Sequence, residues 1–386
     1  MVPLHTRQAH SSYLGTRTFG SLDGVRGLCI LSVVWHHATP SVPGMFFQRG
    51  FLGVDMFFVL SGFLIVTLML RERDRMGTIN LKNFYARRML RIFPIYYLLI
   101  LGLLLFYMVT KPASLTATGY YQALPFLLTY TSNWVHIHAS NAGIMWSLAT
   151  EEQFYVCWPM IEKLLRPLGV AVVLAAILIV NQLINFGMLD GVFAALYGQQ
   201  PRVVILETTY TPIALGVLLA HVLHARRTFS ACYWLVGRRD SSLIFGALLI
   251  ALVVFSPADI SGLARLLIQL AMTLVLGALV VREDHWARPV LTFAPLAYLG
   301  VISYGMYIYH MCAIHPVRVG FERLGGNLAG FSFFFVSLVA TVAVASLSYR
   351  FIEQPLLKLK TRFASDGNPS TRGRRATSRF AQAVAQ

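Results

Sequence analysis

The feature that most limits how this chain can fold is a series of apolar runs, each near the ~20 residues that carry a helix across a bilayer. Such runs recur at about 22–39, 51–70, 91–110, 142–162, 168–189, 208–225, 241–257, 262–281, 294–315 and 330–352. Polypeptide crosses lipid only as helices or closed barrels, because every backbone polar group there needs an internal partner. Unbroken runs this apolar fit the helix. The expected fold is all-α: a polytopic membrane protein of about ten transmembrane helices. Composition agrees, since 56% of residues are hydrophobic and 12% are charged, about half the charged share of a soluble domain.

A net charge of +16 would suit a nucleic-acid partner if the cations were clustered on one face. They sit instead in alternate loops, the pattern of cytoplasmic retention. With the N-terminus inside, outer segments hold six cations: Arg49, Lys111, Arg202, Arg265, Arg318 and Arg323. Arg26 lies inside the first run, which leaves 25 of the 32 Lys and Arg on the inner side. That asymmetry predicts N-in and C-in. It also decides Tyr120–His138, whose Gln, Pro, Thr and Asn make it an interfacial or re-entrant segment on the outer face. The expected organisation is a cytoplasmic segment over 1–21, a membrane domain over 22–357 and a basic, disordered tail over 358–386. No secretory h-region precedes Phe19, so the first span is expected to be uncleaved. The four cysteines show no paired spacing, and no metal-ligand pattern is present.

The run LDGVRGLCILSVVWHH (Leu22–His37) holds an arginine and two histidines. An ionisable residue in a hydrocarbon-grade segment is costly and marks function by default. Residues eleven apart on a helix differ by only ~20° in direction and stand about 16 Å apart. Arg26 and His37 therefore share a face, with Ile30 and Val33 between them, and His36 lies off it. The orientation converts sequence into depth. Asp55, Glu151, Glu152, His37 and His310 fall at one outer level, with Tyr307 beside them and Ser61 near the midplane. Arg87, Arg88 and Arg91 join Arg26 at the inner level, where arginine forks suit phosphate. An inner anion cradle, an apolar path and an outer acid/base layer would suit a CoA thioester threaded from the cytoplasm.

These residues resemble the acyltransferase-3 family of bacterial membrane O-acyltransferases across the whole membrane region. Arg26 and His37 match the family's Arg-x10-His signature. GVDMFFVLSGFLI (Gly53–Ile65), RRMLRIFP (Arg87–Pro94), WSLATEEQFY (Trp146–Tyr155) and YRFIEQP (Tyr349–Pro355) match further blocks in order. The resemblance implies a ten-helix fold in the bacterial inner membrane. It implies transfer of an acetyl or other short acyl group from cytoplasmic acyl-CoA to a hydroxyl of a carbohydrate or glycoconjugate, with no permanently bound cofactor. The sequence departs from the family in its ninth run. There His-x-Pro is replaced by His310-Met-Cys-Ala-Ile-His315-Pro316, which leaves the role of His310 open. No hydrolase-like extracellular domain is read here. The chain is expected to act alone, to use a separate periplasmic transferase, or to modify an acceptor that reaches the membrane.

On this reading His37 is the general base or transient acyl carrier, and Glu151 or Glu152 orients its imidazole. Arg26, Arg87, Arg88 and Arg91 hold the donor phosphates, and Asp55, Ser61, Tyr307 and His310 support the site. A secondary transporter with a carboxylate–histidine relay is the alternative, and a non-catalytic membrane subunit is a third reading. Substrate flux without acyl-CoA would separate the second from the first. Normal product formation in Arg26→Ala or His37→Ala cells would point to the third.

Overall fold

In a computed structural model the described residues are 4–38, 48–135, 141–197, 210–258 and 260–359. Among them the chain is helical, with no strand. The main elements are α1 (Leu4–Gly15), α2 (Leu22–Ala38), α3 (Leu52–Met76), α4 (Leu81–Thr110), α5 (Leu115–Leu128), α6 (Met145–Leu164) and α7 (Pro167–Asn185). They continue with α8 (Thr211–His224), α9 (Arg226–Val236), α10 (Ser241–Phe255), α11 (Gly262–Val281), α12 (Ala294–Val301), α13 (Ser303–Arg323) and α14 (Phe331–Ser348). Short helices cover Asp190–Tyr197, Arg288–Leu291 and Gln354–Leu359, and a π turn covers Tyr349–Glu353.

Among the described residues five helices are long and apolar enough to cross a membrane: α3, α4, α7, α11 and the rod Phe331–Leu359 that begins with α14. Burial ranks them. The apolar window of α3 is 72% buried and that of α7 is 17% buried, so α3 is the central post and α7 a peripheral one. The other expected spans are shorter or more polar. α2 has 17 residues, α8 has 14 and α10 has 15.

Local chemistry sets the ends. Gly77 takes φ 72° after α3 and returns its N–H to the Arg73 carbonyl, a left-handed cap that costs glycine nothing. Asn80 accepts from the Asn83 N–H at 3.0 Å, a side-chain N-cap. α4 therefore starts ten residues before the apolar run expected from 91. The segment Tyr120–His138 is largely α5 and a 3-10 turn at Ser132–Trp134, and residues 136–138 lie outside the described residues. The tail beyond Leu359 lies outside them as well. The run expected over 294–315 is two helices, α12 and α13, which meet at Ile302. α12 is pinned along α2 by glycines. A Cβ on Gly27 would run into the Leu296 carbonyl and one on Gly300 into the Asp23 carbonyl. The same device joins α3 to α8, where Gly62 meets the Ile213 carbonyl and Gly216 the Val59 carbonyl. Small residues let helix backbones touch where lipid supplies no hydrophobic drive.

Candidate active site

A cavity of about 130 Å³ lies between α2, α3, α4, α6 and α13. One stripe of α3 forms its long wall, from Val54 through Phe58, Ser61, Leu64 and Leu68 to Arg71. Those seventeen steps span about 25 Å of helix. One end is cationic: Arg17, Arg26, Arg71, Arg88 and Arg91 line the cavity, and Glu151 is the carboxylate among its described lining residues. The other end is apolar around Val54, Phe57, Phe58 and Leu148, with Ser147 and Tyr307 among them.

The arginines are held differently. Arg26 is paired with Asp23 one turn earlier at 2.7 Å. The Arg88 guanidinium lies 4.8 Å from the centroid of the Tyr155 ring, a cation–π contact that fixes the fork without spending its hydrogen bonds. Arg87 does not line the cavity; its guanidinium is 3.8 Å from Glu72. The expected cradle is thus corrected by one loss and two gains. Arg87 turns away toward a buried acid, while Arg17 arrives from the segment before α2 and Arg71 from the last turns of α3. Behind Arg91 and within its electrostatic reach is Glu353, buried on the π turn with one oxygen unpartnered among the described residues. The YRFIEQP block was the sequence signal for that acid.

The structure does not gather the five outer residues into one cluster. Glu151 accepts from Ser61 at 2.6 Å and lies within electrostatic reach of Arg88 and Arg91. Glu152 lies about 100° round the helix, in the field of Tyr96, Tyr130 and Tyr304. Asp55 binds Gln269 at 2.9 Å and Arg265 at 3.3 Å, a buried tie between α3 and α11. No hydrogen bond links His37 to either glutamate among the described residues. Ile30 and Val33, expected to line an apolar path, are fully buried in packing.

His37 does meet His310. Their rings stand 4.8 Å apart at 63°. The His37 Nδ1 is 3.0 Å from the Val33 carbonyl and the His310 Nδ1 is 2.6 Å from the Tyr307 carbonyl. A carbonyl only accepts, so each Nδ1 carries the proton and each Nε2 is the basic nitrogen. The Nε2 of His310 is buried with no partner among the described residues. Tyr307 links this pair to the cavity. Its hydroxyl donates to the Ile144 carbonyl at 3.0 Å and shares a 2.5 Å hydrogen bond with Ser147. Its ring lies 5.6 Å from that of His310.

Fold and site define a multi-pass, all-helical membrane protein with an arginine-lined internal cavity and a histidine pair beyond its apolar end. The chain belongs to the family described as an acyltransferase domain, which it matches over residues 19–350. It is 28% identical over 367 residues to the peptidoglycan O-acetyltransferase OatA of Listeria monocytogenes, covering 88% of this chain and 56% of that protein. It is 29% identical over 361 residues to the O-acetyltransferase OatA of Staphylococcus aureus, covering 89% of this chain and 58% of that one. The chain thus spans less than two thirds of the length of these curated relatives. No solved structure gives a significant match.

Proposed function

We propose that this chain is a membrane O-acyltransferase of the bacterial inner membrane. It moves an acetyl or other short acyl group from acyl-CoA to a hydroxyl of a carbohydrate or glycoconjugate. Ten spans with both termini in the cytoplasm put the arginine end of the cavity toward the donor. The observation that carries the reading is the polarity of that cavity: five arginines at one end, and an apolar end that stops at Tyr307, next to the histidine pair. Arginine forks bind phosphate oxygens in pairs, and an apolar terminus suits a short acyl chain. In the reaction the acceptor oxygen attacks the thioester carbonyl while His37 Nε2 takes the hydroxyl proton. The C–S bond breaks, and the CoA thiolate leaves and recovers that proton. Glu151 acts as a positioning residue, holding Arg88 and Arg91 from its seat on Ser61. The relatives' names support an acetyl group, and one of them names peptidoglycan as the acceptor.

The test is transfer of labelled acetyl from acetyl-CoA by the purified protein. Wild-type protein should consume acetyl-CoA and label a glycan acceptor, while His37→Ala and Arg88→Met/Arg91→Met should not. Wild-type turnover by folded His37→Ala protein would overturn the assignment of the base. Substrate flux through proteoliposomes without acyl-CoA would overturn the enzyme reading in favour of a transporter.

A further inference from the structure

Every residue lining the cavity lies on a helix except Arg17 and Phe19. These two belong to residues 16–21, the strap between α1 and α2, which crosses the cationic end. The strap is held by polar contacts at both of its ends. On one side Arg71, at the last turns of α3, donates to the carbonyls of Tyr13 and Thr16. Its guanidinium also stands 5.1 Å from the Tyr13 ring and 5.4 Å from the Phe19 ring. On the other side Ser21 Oγ meets His285 Nε2 at 2.9 Å, and the Glu283 carboxylate lies close to the backbone of Gly20. Phe19 is tucked in 5.8 Å from Phe63.

Size makes the strap matter. Pockets that enclose a ligand of drug-like size run to about 300–1,000 Å³, and this cavity is about 130 Å³. A nucleotide thioester needs more room than this, and Arg17 and Phe19 of the strap are part of the wall that bounds it. The helical walls are fixed by packing such as Gly62 against Ile213 and Gly216 against Val59. Moving the strap costs the Arg71 and Ser21 contacts and the burial of Phe19, and leaves the packing of the helices intact.

We propose that residues 16–21 gate the cavity and that Arg71 is the latch, exchanging the carbonyls at the C-terminal end of α1 for donor phosphate oxygens, with Arg17 as a second phosphate ligand. The inference rests on the acyl-CoA reading above and adds how the donor is admitted. A guanidinium at the C-terminus of a helix is favourable on charge grounds, yet phosphate is the stronger acceptor for the same fork. The donor thus competes for the latch and opens the path it needs.

The experiment uses the full chain in lipid nanodiscs with CoA as the probe. It reads hydrogen exchange over residues 4–21 and CoA affinity by equilibrium binding. In wild-type protein CoA should raise exchange at residues 13–21 several-fold. Arg71→Lys keeps the charge but not the fork, so it should loosen the strap without CoA and weaken CoA by less than Arg71→Met does. Arg71→Met should loosen the strap and weaken CoA about tenfold or more. CoA binding to wild type without any change in the strap would overturn the gate, as would Arg71→Met protein that binds CoA normally. If folded wild-type protein bound no CoA at all, the donor reading itself would fail, a result distinct from a failed gate.

Discussion

Ser61 on α3 gives its hydroxyl hydrogen to Glu151 on α6 at 2.6 Å, and this turns the carboxylate toward the arginines of the cavity. The same bond takes Glu151 away from His37, whose imidazole is oriented by the backbone carbonyl of Val33. The acid and the histidine of one proposed reaction thus sit on different tasks.

Ser61→Ala and Glu151→Gln should therefore act on the donor. Loss of the Ser61 hydroxyl leaves a half-buried carboxylate short of a partner, at about 1 kcal/mol. The expected outcome is a raised KM for acetyl-CoA with a smaller change in kcat, measured by steady-state turnover. Equal loss of kcat at saturating donor would show that Glu151 serves the chemical step instead.

His37→Ala should lower kcat by about 10²–10⁴, the usual range for a positioned general base. CoA affinity should remain near that of wild type, because His37 is not among the residues lining the cavity. Equilibrium binding beside a single-turnover assay checks both halves.

Asp55 should prove structural. It is 2% exposed and tied to Arg265 and Gln269. Removing one partner of a buried ion pair costs on the order of 3 kcal/mol. Asp55→Ala should lower the thermal midpoint in detergent, Asp55→Ala/Arg265→Met should recover part of it, and the folded fraction of each should keep its turnover.

Gly27→Leu and Gly300→Leu should separate α12 from α2. A Cβ at either position already collides with backbone, and overpacking costs about 1–3 kcal/mol or more when the obstacle cannot move. Loss of folded protein in fluorescence-detected size exclusion is the expected result. Wild-type yield from both variants would contradict the packing.

The strap should loosen in mild acid. Burial pushes the His285 imidazole below its usual value; the Arg288 charge adds to this and Asp284 opposes it. Free histidine titrates near pH 6.5. Above that value the open and closed states are both neutral and the hold on Ser21 is at full strength. Below it, the freed imidazole takes up a proton that the buried one resists, so the closed form loses ground at up to about tenfold per pH unit. Hydrogen exchange at residues 16–24 should rise from pH 7.5 to 5.5, and His285→Gln should flatten that rise.

What the sequence determined by itself is what depends on periodicity and on the cost of charge in lipid. The helical class follows from apolar runs. The choice of His37 over His36 as the residue sharing a face with Arg26 follows from a 100° step, and the chain does carry Arg26 to the cavity and His37 to His310. Arg88, Arg91, Ser61, Glu151 and Tyr307 were each legible because polar side chains in such runs need a cavity or a partner, though the sequence set the arginines and Glu151 in separate layers.

Only the tertiary structure decided the partners. Glu151 and Glu152 are neighbours in sequence and face different helices, because one step round α6 moves a side chain by 100°. Asp55 left the proposed site because α11 stands beside it with Arg265 and Gln269, and Arg87 left because Glu72 was nearer. Arg17 and Arg71 joined the cavity only when α1 folded back against the end of α3. A helix fixes the direction in which its side chains point, while the helix standing opposite decides what they meet.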